Sequence, residues 1–160
     1  MAKLYINPNI DTYIADLTKL FNESEEICKR AAYVGAGIIW KACLSAAEGL
    51  PTRSFNKKSG MVNGVTVAQK EGIVSSLGIA HFRNDGGFIN VKIGVDGYNS
   101  QKTDKFPQGQ PNALIVRSLE SGTSFRARNP FITRATRSAK GAAEAAIKKQ
   151  MDEEIKKRIH

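Results

Sequence analysis

The stretch from Leu119 to Ala135 forces a turn between two helices, and this constrains the fold more than any other feature of the chain. An apolar-periodic run through Leu114, Ile115 and Leu119 stops at Gly122, a residue suited to the left-handed position that closes a helix. Asn129 then precedes Pro130, which predicts an N-cap followed by a first helical residue whose missing N–H costs nothing. Ser121 to Arg128 is left as a short connector carrying Thr123, Arg126 and Arg128. The flanking helices are expected over 111–121 and 130–158.

The N-terminal part is also helical. Ile10, Tyr13, Ile14, Leu17, Leu20 and Phe21 recur in steps of three and four, and the stripe continues through Ile27, Ala31, Val34, Ile38 and Ala42. Asn9 or Asp11 can cap it, after a lead containing Leu4, Tyr5 and Ile6 that reads as extended; Gly49 and Pro51 stop it. A continuous helix over 11–48 would be a rod of roughly 55 Å. Residues 11–48 are therefore either one projecting helix or a pair broken near Ser24. Gly35, Ala36, Gly37, Ala42, Ser45, Ala46 and Ala47 thin one side for close packing, within the chain in preference to a neighbouring subunit. Trp40 is assigned to core or interface.

Between the helices lies sheet. Residues 77–95 read as a β-hairpin, Leu77 to Arg83 and Phe88 to Val95 flanking the turn Asn84-Asp85-Gly86-Gly87, with Ile89, Val91, Ile93 and Val95 alternating against polar partners. Thr66 and Gln69 have the spacing of a capping box for a short helix ending near Ser76, with a strand as the competing assignment. Two polar, turn-rich segments interrupt these elements: 51–64, read as a mobile loop, and 97–110, long enough to be functional or to order against a partner. The fold class expected is α+β: a long N-terminal helix and a basic C-terminal helix packed on a small antiparallel β-sheet, with two long polar loops, in a single domain over 1–160.

The joint also carries a resemblance. Glu120, Gly122, Thr123 and Ser124, then Pro130, Phe131 and Ala135, resemble the E-x-G-T-S … P-F … A signature of the gene-product-ten-like tail-component family of long-tailed, lambdoid-type phages. The resemblance covers residues 113–145; Ala127, Asn129 and Arg134 depart from the usual pattern. It implies a structural virion protein of the neck, a head-tail connector or a tail-completion component, with a tail terminator or minor tail protein as near alternatives. It further implies a homo-oligomeric ring, naturally hexameric, contacting connector or stopper proteins and tail-tube or tail-terminator proteins, with genome DNA passing through its channel. The virion would be its location, after synthesis in the bacterial host cytoplasm. On local chemistry alone, the same residues also make an ordinary helix-connector-helix joint.

Charge leaves a second class open. The chain has 24 Lys and Arg against 15 Asp and Glu, and residues 126–160 hold ten basic and four acidic side chains. Arg126, Arg128, Arg134, Arg137 and Lys140 form a candidate basic face, compatible with sequence-nonspecific nucleic-acid binding, an acidic protein surface or plain solvation. Arg53, Phe55, Lys57, Lys58, Tyr98, Lys102, Lys105 and Phe106 are candidate interface residues of the two loops. Enzyme chemistry is not expected: His81 and His160 lack a legible nucleophile or carboxylate partner, and Lys57 to Gly60 do not form a nucleotide-binding loop. Cys28 and Cys43 read as buried reduced thiols. No metal, cofactor, secretion signal or membrane span is expected.

Overall fold

The computed structural model describes residues 9–56 and 60–159. Among the described residues, five helices accompany three small antiparallel ladders, an α+β arrangement. The predicted N-terminal helix is a broken pair, α1 (Asn9–Asn22) and α2 (Ser24–Glu48), with Glu23 at the break. The expected lead at Leu4 to Ile6 lies outside the described residues, as do Lys57, Lys58 and His160.

The body is organised by α2 and α5 (Phe131–Lys156), which run antiparallel. Their buried residues recur mostly in steps of four: Ile27, Ala31, Gly35, Cys43 and Ala47 on α2, and Phe131, Ala135, Ala139 and Ala143 on α5. Small side chains let the helices approach closely. A Cβ at Gly35 would lie 2.5 Å from Ile147 Cδ1, and Cys43 Sγ is 3.7 Å from Thr136 Oγ1. Of the small-residue side of α2, Gly35, Ala36 and Ala47 are buried within the chain, whereas Gly37 meets no neighbour and Ser45 is exposed. The far end of the pair is tied by charge: Glu154 accepts from Arg158 Nη1 at 2.7 Å and from Arg30 Nη1 at 3.4 Å, while Arg158 Nε donates to Glu23 at 2.6 Å.

Segment 51–64 is not a plain loop. It forms β1 (Ser54–Asn56) paired with β2 (Met61–Asn63). The helix expected after Thr66 is α3 (Val67–Ser76), with both hydrogen bonds of its capping box formed by Thr66 and Gln69. The predicted hairpin comes in two tiers: β3 (Leu77–Ile79) pairs with β6 (Ile93–Val95), and β4 (Arg83–Asp85) pairs with β5 (Phe88–Asn90). Gly86 and Gly87 both have positive φ, which suits a two-residue turn. His81 falls in the gap between the tiers and is exposed.

Segment 97–110 is stapled to the body within the chain itself. Asn112, 1% exposed at the start of α4 (Asn112–Ser121), donates to Ser76 Oγ and the Asp96 carbonyl and accepts from Asn99 Nδ2 at 3.2 Å. Gly72 makes room for this, since a Cβ there would lie 2.4 Å from Asn99 Cβ. Both ends of the loop are therefore anchored within the chain, while residues 102–105, 107 and 108 are exposed. The core beneath joins Ala47, Leu50, Val65, Ile73, Ile115, Leu119 and Phe131. Trp40 packs with the second cluster and donates to the Leu77 carbonyl at 2.9 Å. Of the cysteines, Cys43 is buried as expected, whereas Cys28 is only half-buried; both are free thiols.

Candidate functional site

The joint between α4 and α5 brings the signature residues together. Glu120, in the last turn of α4, reaches across to the start of α5, where its carboxylate accepts the Ile132 N–H at 2.8 Å and the Thr133 hydroxyl at 2.6 Å. It supplies the cap that the sequence assigns to Asn129. Asn129 makes no cap: helix α5 is preceded by Pro130, and the Asn129 side-chain oxygen accepts from Arg134 instead. The difference has a physical reason, since a carboxylate aligned with the positive end of α5 is a stronger acceptor than a neutral amide.

Gly122 has φ 75° and ψ 168°, so it does not take the left-handed helical cap that the sequence suggests. This is an extended mirror conformation open to glycine. It turns the chain out of α4 and brings Arg128 so close that a Cβ at Gly122 would lie 3.2 Å from Arg128 Cβ. Thr123 then closes a tight loop, its N–H donating to the Arg126 carbonyl at 3.0 Å and its hydroxyl accepting the Arg126 N–H at 3.0 Å. Ser124 is exposed, Phe131 is 3% exposed in the main core, and Ala135 is buried against the second cluster.

Arg126 does not belong to the basic face. It is 6% exposed, because the connector lies along β2, with Val62 donating to the Phe125 carbonyl at 2.8 Å and Ala127 to the Val62 carbonyl at 3.0 Å. Its Nη2 donates to Gln69 Oε1 at 3.4 Å; Nε and Nη1 have no hydrogen-bond partner. Burial, and then the positive charge of Arg53, push its guanidinium below the usual arginine range. Gln69 is itself buried and donates to Gln110 Oε1 at 2.6 Å. One polar chain thus links the loop at 97–110, the start of α3 and the connector. The sequence gives no sign of the Gln69–Gln110 link, because the two residues lie 41 positions apart with no shared periodicity.

The remaining basic candidates do share an exposed surface. Arg128, Arg134, Arg137 and Lys140 are exposed, although Arg128 is tied to the Glu120 carbonyl and Lys140 pairs with Glu144 at 3.7 Å. Beside them, a groove of about 610 Å³ runs between α2 and α5, lined by Ala42, Leu50, Asn129, Phe131, Arg134 and Ser138 among others. Of the loop candidates, Arg53, Lys102 and Lys105 are exposed, Tyr98 is 70% exposed and Phe106 is half-buried under Lys105. Phe55 is placed on β1 opposite Val62. Residues Lys57 and Lys58 lie outside the described set.

The sequence does not foresee how completely α1 is left uncovered. Tyr13 is 57%, Ile14 53%, Leu17 41% and Phe21 80% exposed, so these four residues of the stripe face outward. Among the described residues, no three His, Cys, Asp or Glu side chains come together to hold a metal, and no helix is long and apolar enough to cross a membrane. Comparison with protein-family models, curated proteins and solved structures finds no match.

Proposed function

We propose that the chain is a structural component of a tailed-phage particle: a neck, head-tail connector or tail-completion protein that assembles as a ring at the head-tail junction. The observation that carries this reading is the exposed apolar stripe of α1, from Tyr13 to Phe21. Contiguous apolar surface of this kind is characteristic of faces that another chain covers. The resemblance at the joint indicates which assembly is meant. Within it, Glu120, Gly122 and Phe131 serve geometry, fixing how α5 leaves α4. Connector, tail and terminator proteins are the partners this reading supplies, with six copies in the ring.

Adding the purified chain to lysates of a particle-producing strain that lacks it tests the reading. Infectious particles should be restored. A variant with Tyr13→Ser and Phe21→Ser should keep the helical content of the parent chain and fail to restore them. Equal rescue by that variant would show that the stripe is not the assembly surface.

The exposed basic row Arg128, Arg134, Arg137 and Lys140 favours one second reading, a sequence-nonspecific contact with nucleic acid. Binding to duplex DNA that weakens steeply with salt and ignores sequence is its expected signature. Genome DNA passing through a ring would meet the same face.

A further inference from the structure

The buried cation at the connector has no counter-charge among the described residues. The Arg126 guanidinium offers five N–H donors, and its one hydrogen bond among the described residues is to a neutral oxygen at 3.4 Å. That oxygen, Gln69 Oε1, is already shared with the Thr66 N–H at 3.2 Å. The Gln69 amide cannot turn to offer more, because its nitrogen is committed to Gln110 Oε1 at 2.6 Å. Nε and Nη1 are left without partners. The charged side chain that acts on the guanidinium is Arg53, which has the same sign.

A second positive field points to the same place. Thr66 and Gln69 are the N-cap and third residue of α3, so the guanidinium lies one acceptor away from the N-terminus of a ten-residue helix. Helix N-termini favour anions through their free N–H groups and their dipole. A buried charge is stable only when paired, and nothing among the described residues pairs this one.

We propose that Arg126 is the floor of an oxyanion site, which takes one carboxylate or phosphate group between its guanidinium, Arg53 and the first turn of α3. Burial sets the size of the ligand. Arg126 is only 6% exposed and its Nε and Nη1 are covered, so the site admits a single small oxyanion, presented at the end of a side chain or free in solution, as the side chains over those nitrogens give way. Such a group would accept from Nε or Nη1, offset the repulsion between Arg126 and Arg53, and leave the Gln69–Gln110 link intact. This inference does not depend on the phage reading.

The test titrates the full-length chain with sodium acetate or sodium phosphate against sodium chloride at matched ionic strength, following thermal unfolding and the NMR signals of the Arg126 Nε–H and the Gln69 side-chain amide. Acetate, phosphate or both should raise Tm saturably by several degrees and shift those two signals, while chloride does neither. A response to acetate alone assigns a carboxylate, and one to phosphate alone a phosphate. Arg126→Met should lose the saturable response and Arg53→Gln should weaken it; the signal shifts in the parent chain and in Arg53→Gln decide the matter if Arg126→Met does not fold. Signals that stay unmoved by saturating acetate and phosphate would overturn the proposal, as would an undiminished response in Arg126→Met.

Discussion

The Glu120 carboxylate receives the Ile132 N–H at 2.8 Å, so the last turn of α4 closes the first turn of α5. One side chain thus ties the two helices together, beside the Gly122 turn and the buried Phe131.

Removing that acceptor leaves first-turn donors of α5 unsatisfied, and Glu120→Ala should cost about 1–2 kcal/mol, the range of a lost helix cap. Glu120→Gln keeps one carbonyl oxygen in place and should cost less than about 1 kcal/mol. Urea unfolding of the two variants separates them; equal and negligible losses would show that the cap is not formed in solution.

Phe131 sits at 3% exposure in the cluster with Leu119, Ile115 and Ile73. Phe131→Ala should destabilise the chain by about 3–5 kcal/mol, the usual cost of a large cavity in a close-packed core. The same denaturation experiment reads it, and a loss below about 1 kcal/mol would mean that α5 is not anchored through this residue.

At Gly72 an added methyl group would lie 2.6 Å from Asn112 Oδ1 as well as 2.4 Å from Asn99 Cβ. Gly72→Ala must therefore push the loop at 97–110 off α3, at about 1–3 kcal/mol for an overpacked site. Faster amide exchange at Asn99 and Gln110 in the variant is the expected result, and unchanged exchange would contradict the stapled loop.

Stability should depend on acid through Glu154. Its hydrogen bond from Arg158, followed by the charges of Lys157, Arg158 and Arg30, holds its carboxyl below the usual glutamate range against the opposing effect of desolvation. A carboxylate depressed in the folded state contributes stability above its ordinary value, and that contribution is lost as pH falls through the depressed one. Tm of the parent chain should therefore fall more steeply below about pH 4 than that of Glu154→Gln. Parallel curves would contradict the linkage. Arg158 is shifted upward by Glu23 and Glu154, and its contribution is fully present below the ordinary arginine value.

What the sequence makes legible here is local. The Thr66–Gln69 capping box, the break at Glu23 and the helix ends at Ser121 and Phe131 rest on residues a few positions apart, and the structure has them near where local rules put them. The Gly86-Gly87 turn is equally local. Glu120 capping α5, Asn99 meeting Asn112 and Gln69 meeting Gln110 depend on how the elements pack, and neither periodicity nor spacing encodes them. Arg126 shows the limit most clearly: counted by charge it belongs to a basic surface, but the connector's pairing with β2 turns it inward. The stripe on α1 fails in the opposite direction, since amphipathicity says that a face is to be covered without saying by which chain.

The central claim, a joining role in a phage particle, is tested most directly by electron microscopy of lysates from a particle-producing strain with this gene deleted. DNA-filled heads lying beside separate tails of normal length are the expected result. Overlong tails would move the assignment to a tail terminator, and normal joined, infectious particles would contradict the claim.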